Sequence, residues 1–260
     1  MREKDSREEL YARLDDLKGR AERGEMAISQ FLTPAELHFA SRRYSGASVV
    51  SFGGYEGAER RRMYFLPEYM EGSEPLLGFE EFGISAEIVA VEICGSGYKR
   101  LSHRDFLGSV LGLGLSRDVL GDIILSEESE NRAIAFCDEK IAHFIEQSLE
   151  RVGNDKVKVK RLALEELNIP KRKFLSVSDT VASPRFDCVV AALCSLSRAK
   201  AAEVISAGLA ELDYECEERT DRQILPPCVI SVRGYGKFAV RSVSDVTKKG
   251  RFRLFADKYV

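Results

Sequence analysis

Two short stretches hold the residues best placed to do chemistry. One is Arg185-Phe186-Asp187. The other is Ser197-Arg198-Ala199-Lys200, continued by Ala201, Glu203, Ile205 and Gly208. Ser197 has the small polar side chain of a helix N-cap. The first turn after it carries Arg198 and Lys200, where the helix dipole favours acids rather than cations. Positions that break a local rule are where function is expected. Two cations beside unpaired backbone N–H groups make a phosphate site. On this reading, replacing Arg198 and Lys200 with Ala leaves stability unchanged or slightly raised and weakens polyanion binding. Glu203 lies too far along to close a capping box. Further cations that could join the site are Lys171, Arg172 and Lys173, in the basic linker that begins at Pro170. Arg233, Lys237 and Arg241 stand in and around the turn Gly234-Tyr235-Gly236.

Catalytic constellations are incomplete. His38, His103 and His143 are the three histidines, and no two have metal-ligand spacing. His103-Arg104-Asp105 mimics a kinase catalytic loop, but no Gly-rich loop, strand lysine or Asp-Phe-Gly completes it. Leu111-Gly112-Leu113-Gly114-Leu115 lacks the third glycine and the later acid of a dinucleotide site, so it reads as a helix end. The six cysteines form no CxxC pair, which argues against a zinc ribbon and for reduced thiols packed as small hydrophobes. Neither a metal nor a cofactor is expected.

Charge is unevenly divided. Residues 156–260 hold 20 Lys/Arg and 13 Asp/Glu, a net of +7, while the first 155 residues carry a net of −10. A basic segment joined to an acidic one fits a polyanionic partner. The charged N-terminus shows no signal peptide, and no apolar run reaches a membrane span, so the expected location is the cytoplasm.

The elements that must position these residues follow from periodicity. Leu10, Leu14 and Leu17 mark a helix over about Ser6–Gly24. Thr33-Pro34-Ala35-Glu36 opens a second helix running to Tyr44. Val49–Phe52 and Met63–Leu66 read as a hairpin. From Ile88 to Leu162 the order is strand, helix, two strands, helix, strand, with Lys156–Leu162 as an edge or half-exposed strand. That order fits a ferredoxin-like fold. Phe174–Val181 is then a strand, Pro184–Leu196 and Arg198–Ala207 are helices, and Val229–Arg233 with Lys237–Arg241 form a hairpin. Phe186, Val189, Val190 and Leu193 should pack on Ala201, Ile205 and Leu209. Lys248 and Lys249 lie in what reads as a mobile basic tail. The expected fold class is α+β in three domains: residues 1–68 (helices and hairpin), 69–170 (ferredoxin-like βαββαβ) and 171–260.

The segment from Ser183 to Arg241 resembles the RNA-binding domain named after small-subunit ribosomal protein S-four. The family's Arg-Leu-Asp opening, Ser-Arg-x-x-Ala step, helix-ending Gly and closing β segment stand here as Arg185-Phe186-Asp187, Ser197 to Ala201, Gly208 and Val229–Val232. The family's Val-x-Val-Asn-Gly hairpin is replaced by Leu209 to Tyr214 and followed by acidic residues, a departure that bears on RNA contact through this loop. The whole chain resembles the YlmH type of bacterial protein. The motifs behind this are Arg62 to Pro67, Ser102 to Gly108, Leu113 to Arg117 with Gly121-Asp122-Ile123, and Ser231 to Gly236. The resemblance implies a cytosolic partner of the large ribosomal subunit that binds ribosomal RNA and tRNA. It also implies rescue of stalled nascent-chain–tRNA complexes and a link to cell division. The expected protein is a non-enzymatic monomer whose main RNA contact lies in residues 171–260, with 1–170 binding weakly. The alternatives are an RNA-modifying enzyme of pseudouridine synthase or methyltransferase type, because S-four domains are often fused to these, and a protein–protein adaptor.

Overall fold

Thr33 starts the helix that the sequence marks best, α2 (Pro34–Arg43). Its Oγ1 accepts the Glu36 N–H at 3.2 Å, and Glu36 Oε2 accepts the Thr33 N–H at 2.8 Å, a complete capping box. In the computed structural model, residues 2–74, 79, 82, 87–98, 100–126, 131–164, 167, 169, 173–247 and 250–259 are described. The chain is α+β. It divides into two units, residues 1–170 and 171–260.

In the first unit, α1 (Arg2–Glu22) lays Leu10, Leu14 and Ala21 against Ala40 of α2 and Tyr44, its C-cap. Met63 and Phe65 complete this core from a three-stranded sheet, ordered β1 (Ala27–Ile28), β3 (Arg62–Phe65), β2 (Val49–Phe52). The chain continues through β4 (Val89–Gly95), α3 (His103–Leu111), β5 (Leu120–Leu125), β6 (Arg132–Cys137), α4 (Glu139–Ser148), β7 (Arg151–Val152) and β8 (Asp155–Leu162). These strands form a sheet ordered β5-β6-β4-β8-β7, antiparallel throughout. Strand side chains alternate between faces. Val91, Ile93, Ala133 and Ala135 meet Phe106 and Val110 of α3 and Ala142 and Ile145 of α4.

The other face carries Ala90, Ile134 and Phe136, which meet Phe31, Phe52 and Tyr55 from the N-terminal segment. Polar clamps reinforce that contact. Tyr55 Oη donates to Asp122 Oδ2 at 2.7 Å. Buried Arg60 donates from Nε to the Leu120 carbonyl and from Nη2 to that of Phe31, both at 3.0 Å. The border expected at 68/69 is therefore spanned by a shared core, and the division between units falls at 170/171. The His103-Arg104-Asp105 triplet is a helix start. The Asp105 carboxylate accepts the Ser102 N–H and Oγ–H at 2.8 and 2.6 Å.

The second unit consists of β9 (Phe174–Val181), α5 (Phe186–Cys194), α6 (Arg198–Ser206), β10 (Ala210–Leu212), β11 (Glu215–Cys216), β12 (Cys228–Val232), β13 (Gly236–Val246) and β14 (Phe252–Tyr259). Its sheet is ordered β11-β10-β12-β13-β14-β9 and antiparallel. Phe186, Val189, Val190 and Leu193 of α5 pack on Ala201 and Ile205 of α6 and on Ile230, Phe238, Val240 and Leu254 of the sheet. Gly208 ends α6 at φ +68, a conformation a Cβ disfavours.

Three expectations are corrected here. Leu209 is 36% exposed and lies outside this core. The segment expected to be a basic tail leads into β14, an interior strand between β13 and β9, whose Leu254 and Ala256 are buried. Lys248 and Lys249 themselves lie outside the described residues. The stretch departing from the S-four hairpin is a hairpin all the same, with Leu212 paired to Glu215 and positive φ at Asp213 and Tyr214. Two successive positive-φ residues suit a two-residue hairpin turn.

Candidate nucleic-acid interface

The Asp187 side chain organises the start of the helix pair. It is 3% exposed and accepts four hydrogen bonds. Arg185 donates from Nε and Nη2 at 3.2 and 3.1 Å, Arg198 from Nε at 2.9 Å, and the Cys188 backbone N–H at 2.9 Å. Burial pushes the Asp187 carboxyl up, but the hydrogen bonds from Arg185, Arg198 and Cys188 outweigh it and hold the group below the usual carboxylate range. Two arginines from the starts of two helices are thereby fixed on one carboxylate, each with further guanidinium N–H groups facing outward. Arg198 remains exposed and Arg185 partly so.

The two helix starts differ. At α5, the Phe186 and Asp187 N–H groups donate to the Arg222 and Thr220 carbonyls at 2.8 and 2.9 Å, so a loop of the same unit occupies them. At α6, Ser197 Oγ accepts the Lys200 N–H at 3.2 Å, as the sequence predicts. The Arg198 and Ala199 N–H groups have no hydrogen-bond partner among the described residues. Lys200 Nζ pairs with Glu203 Oε2 at 2.8 Å, both exposed.

These partners bear on the expectation that replacing Arg198 and Lys200 with Ala leaves stability unchanged or raised. The cations that break the dipole rule are each held by an acid of the same chain. Losing Arg198 removes a donor from a buried carboxylate, which costs stability rather than raising it.

The other expected residues split between faces. Arg233 is exposed, with no ion pair among the described residues. It flanks the turn whose Tyr235 lies within electrostatic reach of Lys200. Arg233 and Lys237 line an open groove of about 430 Å³ with Leu209, Glu211 and Ser231. Lys237 and Arg241 belong to the sheet face turned away from α5 and α6, where Arg241 Nη2 meets Asp257 Oδ1 at 3.0 Å. Lys173 is exposed just before β9, and Lys171 and Arg172 lie outside the described residues.

A second basic surface is absent from the residues expected to bind RNA. Lys156, Lys158 and Lys160 alternate along β8, the strand expected at an edge or half exposed. β8 pairs with β4 along Val157–Leu162 and with the two-residue β7 only at Asp155 and Lys156, so most of it has a strand on one side among the described residues, as expected. Register sets Lys158 against Cys94 and Lys160 against Glu92, on the face opposite α3 and α4. Glu92 is buried and ion-paired to Arg132 and to Lys160, the latter at 3.3 Å. Lys156 and Lys158 are exposed, with no ion pair among the described residues.

A family model described as "Putative RNA-binding domain in YlmH" matches residues 80–166. Residues 80–166 are thus similar to the RNA-binding domain described for YlmH. The match covers the β5-β6-β4-β8-β7 sheet and its lysine stripe and does not extend into residues 171–260. Every RNA-binding residue expected from the sequence lies outside it. The signal that could have found the stripe is the strict basic–apolar alternation of residues 156–160. Over 233 residues the chain is 29% identical to "Ribosome-associated protein quality control protein P2" of Bacillus subtilis (strain 168), covering 88% of this chain and 86% of that protein. A solved structure, "Cell division protein ylmH from Streptococcus pneumoniae", is matched at 19% identity and a TM-score of 0.44, over 63% of this chain and 92% of that one. Among the described residues, no helix is long and apolar enough to cross a membrane.

Proposed function

We propose that this YlmH-type chain is a non-enzymatic RNA-binding factor of the large ribosomal subunit. The observation that carries the reading is the pair of arginines fixed on Asp187 at the start of α6. Guanidinium groups held in place lose less freedom on meeting a phosphate than free side chains do, and their fork geometry suits it. Helix pair, hairpin and closing strands support reading residues 171–260 as an S-four-like unit. The strand order β5-β6-β4-β8 with helices on one face supports reading the middle of the chain as ferredoxin-like. The lysine stripe of β8 adds diffuse attraction to the phosphate backbone, and the helix pair fixes where the RNA lies. The name of the Bacillus relative supports placement on the ribosome and a part in protein quality control, which on this reading is the rescue of stalled nascent-chain–tRNA complexes. Such a factor works in the cytoplasm, as a monomer, and touches ribosomal RNA and tRNA.

The test is sedimentation of the protein through a sucrose gradient with and without ribonuclease. Cosedimentation with large subunits, released by ribonuclease, is the expected result. Protein that stays free, or stays bound after the RNA is digested, overturns the reading, the second outcome in favour of a protein–protein adaptor.

A further inference from the structure

The sheet of the second unit has a face that α5 and α6 do not cover, and its composition is not that of an ordinary solvated sheet. Two aromatic rings stand there against one lysine, and a third ring meets one of them. Lys237 Nζ lies 4.9 Å from the ring centroid of Tyr214 and 4.9 Å from that of Tyr259. Tyr259 meets Phe174 edge to face, with centroids 5.2 Å apart and planes at 75°. Register explains the neighbourhood. Tyr259 on β14 pairs directly with Phe174 on β9, and Lys237 on β13 pairs with Ser231 on β12. Phe174 is 45% exposed. Single exposed aromatics need no explanation, but a contiguous set in contact does. The groove lined by Arg233 and Lys237 opens onto the same face.

Charge decides between occupants. Among the described residues, register and contacts put the cations Lys237, Arg233, Arg241 and Arg253 on this face with the acids Glu211 and Asp257, and Asp257 is held by Arg241 and by Ser176 Oγ at 3.3 Å. An excess of cations among aromatic rings suits a polyanion with flat apolar rings of its own. Double-stranded RNA keeps its bases inside the helix, whereas a single strand offers both phosphates and base faces.

We propose that this face binds single-stranded RNA, with bases stacked on Tyr259, Phe174 and Tyr214 and phosphates on Lys237 and Arg233. Four strands at about 4.8 Å spacing leave room for roughly two or three stacked nucleotides. The surface lies across the sheet from the helix-pair site and acts independently of it.

The chain contains no tryptophan, so Tyr259→Trp installs a single emitter that can still stack. In the full-length protein, a short oligouridine should quench that emission, and a duplex of equal length should not. In the parent background, the double change Phe174→Leu with Tyr259→Leu should weaken oligouridine binding about 30-fold or more, the scale of two lost base–aromatic stacks. Tyr259→Phe, which keeps the ring, should bind like the parent and shows that loss of the ring rather than of the fold is responsible. Quenching that survives Arg198→Gln with Lys200→Gln separates this surface from the helix pair. Emission indifferent to saturating oligouridine, or a leucine pair that binds as tightly as the parent, overturns the proposal. So does a leucine pair that loses large subunits while keeping oligouridine, which would make the face a protein contact.

Discussion

On α6 the cations are bound to acids of their own chain, and on β8 two of three are not. Arg198 donates to buried Asp187 and Lys200 to Glu203, whereas Lys156 and Lys158 extend from a strand with no ion pair among the described residues. A lysine on a flexible stem attracts a phosphate as a point charge, with its strength set by salt. An arginine fixed on a buried carboxylate points a planar donor fork in one direction, so it selects a geometry as well as a sign. Net charge, the quantity most easily counted in a sequence, therefore says how strongly a surface draws RNA and little about where it holds it.

The sharpest way to break this comparison is Asp187→Ala. The buried carboxylate and its charged hydrogen bonds are removed, so stability should fall by about 1.5–3 kcal/mol, the range for hydrogen bonds to charged groups. RNA affinity should fall with it, because Arg185 and Arg198 lose their anchor. Urea unfolding and RNA binding on the same samples check both. The effect also has a pH signature. The folded-state pKa of Asp187 is depressed, so its stabilisation is fully present above the unfolded value and is lost as pH falls through the folded one. The gap in stability between the parent and Asp187→Asn should hold at neutral pH and close on acidification below about pH 4. A gap that persists into acid would mean that the carboxylate charge is not what holds the cluster.

Next in size is Lys156→Gln with Lys158→Gln. With two phosphate-neutralising ammonium groups gone, the slope of log affinity against log salt should become shallower by roughly 1.4–1.8, with the melting temperature unchanged. An unaltered slope removes β8 from the RNA surface. Smallest, but most telling for the helix pair, is the contrast between Arg198→Ala and Lys200→Ala. Arg198→Ala should lower the melting temperature, by less than Asp187→Ala does. Lys200→Ala, which breaks an exposed pair with Glu203, should leave it unchanged. Equal melts for the two would mean that the Arg198–Asp187 bond contributes nothing to the fold.

What is legible in the sequence is local. The Thr33–Glu36 capping box, the Ser197 cap of α6 and the Gly208 stop are written within four residues of where they act, and all three are present. What stays hidden depends on distant residues. Asp187 and Arg198 are eleven positions apart and meet because α5 turns back through Ser195, whose φ is +55. β14 reads as part of a tail because Lys248-Lys249-Gly250-Arg251 stand just before it, although Phe252, Leu254, Phe255, Ala256 and Tyr259 are apolar. Its place between β13 and β9 is fixed by pairing with strands that begin about 75 residues away at one side and under 20 at the other. The cover over Ala90 and Phe136 comes from Phe31 and Tyr55, which no period in residues 88–162 could reveal.

The measurement that bears most directly on the account is binding to purified large ribosomal subunits at fixed salt, compared between two variants of equal charge change. One is Arg198→Gln with Lys200→Gln, and the other is Lys156→Gln with Lys158→Gln, both assayed well below their melting temperatures. The account predicts that both bind more weakly than the parent and that the helix-pair variant is the weaker of the two. A helix-pair variant that binds as tightly as the parent, while the β8 variant does not, would contradict it and move the RNA contact into residues 80–166.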